Sequence, residues 1–176
     1  MAGHSDNTRP LPTFDAPCKI GIVISAYYTA IAEAQLASAK ARIEATGASW
    51  EVIEVTGSLE IPTAIGIAHR MGDYDGFVAL GCVIRGRTSH YDVVVEQSAH
   101  GIMLLGLQGL CIGNGIITVE NREQAEERAD AERLDTAGAA AEACVHLIAL
   151  ARGMKDAKTK GVGFGRTVLA KGGETV

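Results

Sequence analysis

Aromatic residues are few in this 176-residue chain: three Phe, four Tyr and one Trp. A core with so few large rings has to close with Ala, Gly, Ile and Val, a composition suited to tightly packed α/β layers. No apolar run approaches the roughly 20 residues that a membrane-spanning helix needs, so no membrane association of that kind is expected. Basic residues do not prevail: 16 Lys+Arg stand against 21 Asp+Glu, a formal net charge of −5. That balance argues against nucleic-acid binding, which requires a basic face to neutralise phosphates, yet leaves room for a local pocket that takes a small anion. The start, MAGHSDNTRPLPTFDAP, has neither a basic n-region nor an apolar h-region, so no secretory signal is expected. The four cysteines, Cys18, Cys82, Cys111 and Cys144, are scattered, with no C-x-x-C and no His at ligand spacing. A metal site or disulfide framework is not expected; buried free thiols in a cytoplasmic protein are.

What is present alternates between strand and helix patterns. Residues 1–17, polar and with three prolines, read as a flexible arm. CKIGIVIS (18–25) is a buried strand, rich in β-branched residues. Thr29 is placed to cap the helix that follows, with Ala32, Leu36, Ala39 and Ile43 at helical spacing and Gly47 ending it. SWEVIEV (49–55) is a second strand, Thr56-Gly57-Ser58 a turn, and Pro62 sits early in a second helix, where its missing N–H costs little. GFVALGCVI (76–84) is apolar throughout and therefore covered on both faces. Arg85 to Thr88 form a tight loop before a long helix from Ser89 to about Leu107. Gly113-Asn114-Gly115 reads as a turn before a buried strand that ends at Val119. Asn121 with Gln124 resembles a capping box. Asp135 or Thr136 caps an Ala-rich last helix ending near Arg152-Gly153, so the folded domain is expected over 18–153 with a tail over 154–176. Strict alternation demands a parallel sheet with right-handed crossovers and helices on both faces, a three-layer α/β/α sandwich. Such sheets bind ligands beyond the carboxyl ends of their strands.

Chemistry concentrates in three of those loops. In Gly81-Cys-Val-Ile-Arg-Gly-Arg-Thr-Ser-His-Tyr-Asp92 a buried strand runs through a Gly-containing loop into a helix. Free amides and the helix dipole suit a phosphate there, with Gly86 letting backbone approach, hydroxyls on Thr88 and Ser89, and charge from Arg85 or Arg87. On spacing alone an ordinary capped βα turn explains the same pattern slightly better. His90 falls in the first turn, where the dipole disfavours imidazolium, and is expected to give and take protons beside the anion. Thr56 to Pro62 forms a second strand-to-helix turn that can aim amides and the Glu60 carboxylate into the same cleft, although a first-turn Glu that complements the helix dipole explains Glu60 equally well. Tyr27 and Tyr28 follow the first strand and offer a stacking surface, rim packing being the plainer role, more so for Tyr28.

These segments together resemble the lumazine synthase (6,7-dimethyl-8-ribityllumazine synthase) family: Tyr27 after the first strand, GSLEIP (57–62), GCVIRGRTSHYD (81–92), GNGIITVENREQA (113–125) and the Ala-rich last helix, from about Lys19 to Gly153. The resemblance implies a flavodoxin-like, four-stranded parallel sheet in pentamers or shells of pentamers. It implies a transferase that condenses 5-amino-6-(D-ribitylamino)uracil with 3,4-dihydroxy-2-butanone 4-phosphate, the penultimate step of riboflavin biosynthesis. It further implies no metal or organic cofactor, a functional link to riboflavin synthase, and an active site between subunits.

By position, the resemblance puts Tyr27 under the pyrimidine ring in place of the family's usual Phe. Ser58, Leu59 and Glu60 would hold the ribityl side, and Cys82, Val83 and Ile84 would meet the pyrimidine edge with main-chain groups. Gly86, Arg87 and Thr88 would form the phosphate loop, and His90 would transfer protons. Asn114, near the rings, and Arg128, near the phosphate, would come from the neighbouring subunit. Tyr28 stands where Asn is frequent, Asn114 where Phe is common, and Thr136 in the place of a usual Lys. The segment Asp130 to Gly138 is about one residue longer than in shell-forming members, which favours a homopentamer over a 60-subunit shell. The alternative to an enzyme is a homologue of the same fold that binds a flavin or ribityl-pyrimidine without turnover.

Overall fold

The computed structural model describes residues 9–159. Four strands, β1 (Lys19–Ser25), β2 (Ser49–Val55), β3 (Gly76–Ile84) and β4 (Ile112–Val119), pair in parallel in the order β2-β1-β3-β4. Five α-helices connect or follow them: α1 (Thr29–Glu44), α2 (Ile61–Met71), α3 (His90–Leu107), α4 (Arg122–Ala129) and α5 (Thr136–Thr159). A short 3₁₀ turn, Ser58–Glu60, leads into α2. The expected α/β/α sandwich is thus present, and its strand order reverses between β1 and β3.

Each strand's alternation assigns the layers. Ile20, Ile22, Ile24, Val78 and Leu80 point to one face, where they meet Ala39 and Ile43 of α1 and Ala137, Ala141, Cys144 and Ile148 of α5. Val23, Phe77 and Ala79 point to the other, against Ile61 and Ile65 of α2 and Ile102 of α3. α4 closes the first face at the carboxyl end with Ala125 and Ala129 over Cys82, Ile117 and Val119. Small residues let these layers approach closely: a Cβ on Gly113 would run into the Ala140 carbonyl of α5.

Several expectations change in the structure. Gly113-Asn114-Gly115 is not a turn but lies inside β4, because the two glycines face α5 and give it room. Thr29 does not cap α1; Tyr28 occupies the cap position without a side-chain bond, and Thr29 is already helical. Asp135 does cap α5: its Oδ1 accepts from the Gly138 amide at 3.0 Å and from the Ser38 hydroxyl, its Oδ2 pairs with Arg42 at 3.1 Å, and its φ is +41°. The Asn121 side-chain Oδ1 accepts from the Gln124 amide at 3.0 Å, while the Gln124 side chain reaches back to accept from the Glu120 amide, one residue before the cap. α5 runs six residues past Gly153, through residues expected in the tail; 160–176 lie outside the described residues, as do 1–8 of the expected arm. The described part of the arm is pinned: the Phe14 amide donates to the Thr46 carbonyl at 2.9 Å, and Arg152 donates to the Ala16 and Pro17 carbonyls.

Candidate active site

The reversal of strand order leaves a step in the sheet. β1 pairs with β3 only as far as Ile24↔Leu80, whereas β3 and β4 stay paired to Ile84↔Val119. Residues 81–84 therefore have no strand partner on the β1 side, and their main chain there borders a crevice where chain direction splits, the usual place for a ligand in such sheets.

The other expected residues surround that step. The Ser25 hydroxyl, at the end of β1, donates to the Thr56 carbonyl at 3.5 Å and so ties the β1 and β2 ends together. Gly81 lets the 3₁₀ turn close on β3: a Cβ there would stand 2.9 Å from Ser58 Oγ and 3.4 Å from Ile61 Cδ1. Ser58 is buried, whereas Leu59 and Glu60 are exposed at the rim. The Glu60 carboxylate folds back over Gly57, whose hypothetical Cβ would lie 2.8 Å from Oε2. Tyr27 and Tyr28 meet edge to face, centroids 5.1 Å apart. Tyr28 rests on the Cys82–Ile117 cluster, and burial foremost raises its phenol above the ordinary range. Tyr27 is left 75% exposed, an unusual position for a ring in so aromatic-poor a chain. Cys82 is no nucleophile: burial pushes its thiol up to about 11, against a lowering pull from Arg122, so it stays protonated at neutral pH.

At the tip of β3, two arginines part company. Arg85 is held by Glu120 at 3.0 Å and Asp92 at 3.0 Å, and its guanidinium stacks 4.0 Å from the Tyr91 ring centroid. It is a clasp between β3, α3 and the end of β4, and its charge is already matched. Arg87 makes no ion pair among the described residues, and the amides of Gly86 to Ser89 find no acceptor among them. A side chain on Gly86 would meet nothing within 4 Å, so the loop is open outward. The Thr88 hydroxyl accepts from the His90 amide at 3.4 Å, and Ser89, in the cap position, makes no capping bond. His90 is the first residue of α3 and is exposed. Unpaired amides, a helix start and one free guanidinium form an arrangement chemically suited to an anion.

Two expected residues do not join this crevice within one chain. Asn114 pairs with Ala79, five residues before Ile84, hence roughly 16 Å down the sheet from the strand end. It is exposed on the edge strand, its Oδ1 accepting from the Ile116 amide at 3.1 Å. Arg128 lies in the last turn of α4, on the face of the sheet opposite α3, and makes no ion pair among the described residues. The Arg85 clasp and the buried Gln35 were not expected in these roles; the only signal for Gln35 is a polar residue four positions after Ile31 and four before Ala39 on a buried helix face.

Among known proteins, the model of the family described as 6,7-dimethyl-8-ribityllumazine synthase matches residues 17–152. A protein of that name from Jannaschia sp. (strain CCS1) is 68% identical over 152 residues, covering 86% of this chain and 85% of its own length. Proteins of the same name from Erythrobacter litoralis and Novosphingobium aromaticivorans are each 48% identical, covering 73% and 75% of this chain and 92% and 95% of their own lengths.

Proposed function

The chain belongs to the 6,7-dimethyl-8-ribityllumazine synthase family, and from that premise we propose how its residues divide the work of the condensation. The protein is a transferase of riboflavin biosynthesis that joins 5-amino-6-(D-ribitylamino)uracil to 3,4-dihydroxy-2-butanone 4-phosphate and releases phosphate and water. The observation that supports our assignment is the step at the end of β3, which gathers an exposed ring, a hydroxyl-and-carboxylate turn, unpaired amides and an imidazole around one opening.

In this reading the pyrimidine stacks on Tyr27 and its edge meets main-chain groups of Cys82, Val83 and Ile84. Ser58, Leu59 and Glu60 hold the ribityl chain. The phosphate rests on the amides of Gly86, Arg87 and Thr88 and against the Arg87 guanidinium. Both substrates held together turn a bimolecular encounter into an effectively intramolecular one, which supplies much of the rate. The substrate amine attacks the ketone and loses water to give an imine. His90 moves protons as phosphate leaves, and ring closure with loss of a second water completes the product, the substrate for riboflavin synthase.

Asn114 and Arg128 enter from a neighbouring copy, since their own chain holds them away from its crevice. The exposed apolar residues of α3 (Met103, Leu104 and Leu107) supply a face for such a neighbour to cover. We favour a pentamer over a 60-subunit shell because the longer link between α4 and α5 folds into its own turn, with the Leu134 and Asp135 amides bonded back to Glu127 and Asp130. No helix among the described residues is long and apolar enough to cross a membrane, and the four cysteines are free and buried, which supports a cytoplasmic setting.

Mixing the purified protein with both substrates tests the reading: lumazine fluorescence should appear with release of one phosphate per product. Tight flavin binding without product would instead establish a binding role.

A further inference from the structure

Gln35 of α1 is wholly buried, and its Oε1 is the buried side-chain atom that lacks a hydrogen-bond partner among the described residues. Its Nε2 donates to the Gly115 carbonyl at 2.9 Å and to the Gly81 carbonyl at 3.3 Å. The amide thus spans β3 and β4 at the Gly81↔Ile116 rung, one residue beyond the last β1 partner of β3. Beside that rung Gly115 leaves room for the packed layers, since a Cβ there would stand 2.9 Å from Leu80 Cδ2 and 3.0 Å from Ala140 Cβ.

A purely structural role explains this residue poorly. An acceptor stranded in a dry interior costs about 1–3 kcal/mol, whereas an apolar side chain of similar size would fill the site without that cost. One of the two carbonyls that receive Nε2, that of Gly81, opens the β3 segment that borders the crevice; the other, that of Gly115, lies on the neighbouring β4. The same helix begins two residues after Tyr27, so the amide ties the helix that follows the stacking ring to the strand proposed to meet the pyrimidine's edge.

We propose that Gln35 is a positioning residue for the pyrimidine substrate: it sets the strand end at Gly81 relative to Tyr27 and touches neither substrate itself. This rests on the crevice assignment above. The test is steady-state kinetics with thermal unfolding on Gln35→Leu and Gln35→Met. The KM for the ribitylaminouracil should rise about three- to tenfold, the equivalent of one lost hydrogen bond. The KM for the ketone phosphate should stay within about twofold, and the Tm should hold or rise, because the stranded acceptor is gone. An unchanged pyrimidine KM, an equal rise in both KM values, or a fall in Tm or loss of folding in both variants overturns the proposal. Glu60→Gln in the same assay separates the two levels. If it raises the pyrimidine KM while the Gln35 variants do not, only the role of Gln35 fails. If it does not, the crevice assignment fails and takes this inference with it.

Discussion

His90 is a residue whose neighbours decide its meaning. Four other histidines exist in the chain, but this one begins a helix beside amides that find no acceptor among the described residues. His90→Ala should slow turnover by roughly 10–1000-fold without abolishing it, because proton transfer is typically worth about 10²–10⁴ and proximity survives; stopped-flow product fluorescence reads the loss, and an unchanged rate would remove His90 from the chemistry. The buried thiols make a separate prediction. Burial pushes Cys18 and Cys82 from an ordinary 9.0 to about 11, so the folded chain keeps protons that the unfolded chain gives up first. Their contribution is fully present below pH 9 and is lost as pH rises through about 11. Urea midpoints measured at pH 8 and pH 10 should fall, and replacing both cysteines with Ala should flatten that dependence.

Elements were legible where periodicity was strong. All four strands and the start of the charged helix after Asn121 could be placed from pattern alone, and so could the strand-end segment with Tyr27, the turn with Glu60 and the helix start with His90. The Gly113-Asn114-Gly115 segment could not, because two glycines in a row of three look like a turn until the helix they accommodate is known. The α5 end was equally hidden: MKDAKT has neither Gly nor Pro to stop a helix, but its apolar stripe fades. The tight β4–α5 contact gives a measurable consequence. Gly113→Ala should destabilise by about 1–3 kcal/mol or more through overpacking, since the added methyl would collide with backbone rather than with a side chain that can turn aside. Thermal unfolding checks this, with Asn121→Ala beside it, where only one cap bond is lost and about 1 kcal/mol is expected.

At the scale of the whole molecule, the site we propose is divided between copies. In that reading one chain supplies the ring, the turn and the anion loop, while Asn114 and Arg128 lie elsewhere on it; the family resemblance implied this separation, and the register gives it a distance that composition and periodicity could not. Copies carrying His90→Ala and copies carrying Arg128→Ala should each be slowed, yet refolding them together in equal amounts should restore full speed at about a quarter of the sites by random placement around a ring. No recovery on mixing would mean that each chain completes its own site. Met103→Glu should lower the mass seen by light scattering and abolish activity together, since a charge on that face repels the neighbour.

The uneven lengths of β1 and β3 carry a lesson about drift. Where β3 outruns its partner, a visiting ring would read peptide groups, and every amino acid except proline presents the same donor and acceptor there. Substitutions at Cys82, Val83 or Ile84 can then alter bulk without erasing recognition. Cys82, packed with Ile117 and Val119 beneath α4, has the least room for such change of the three.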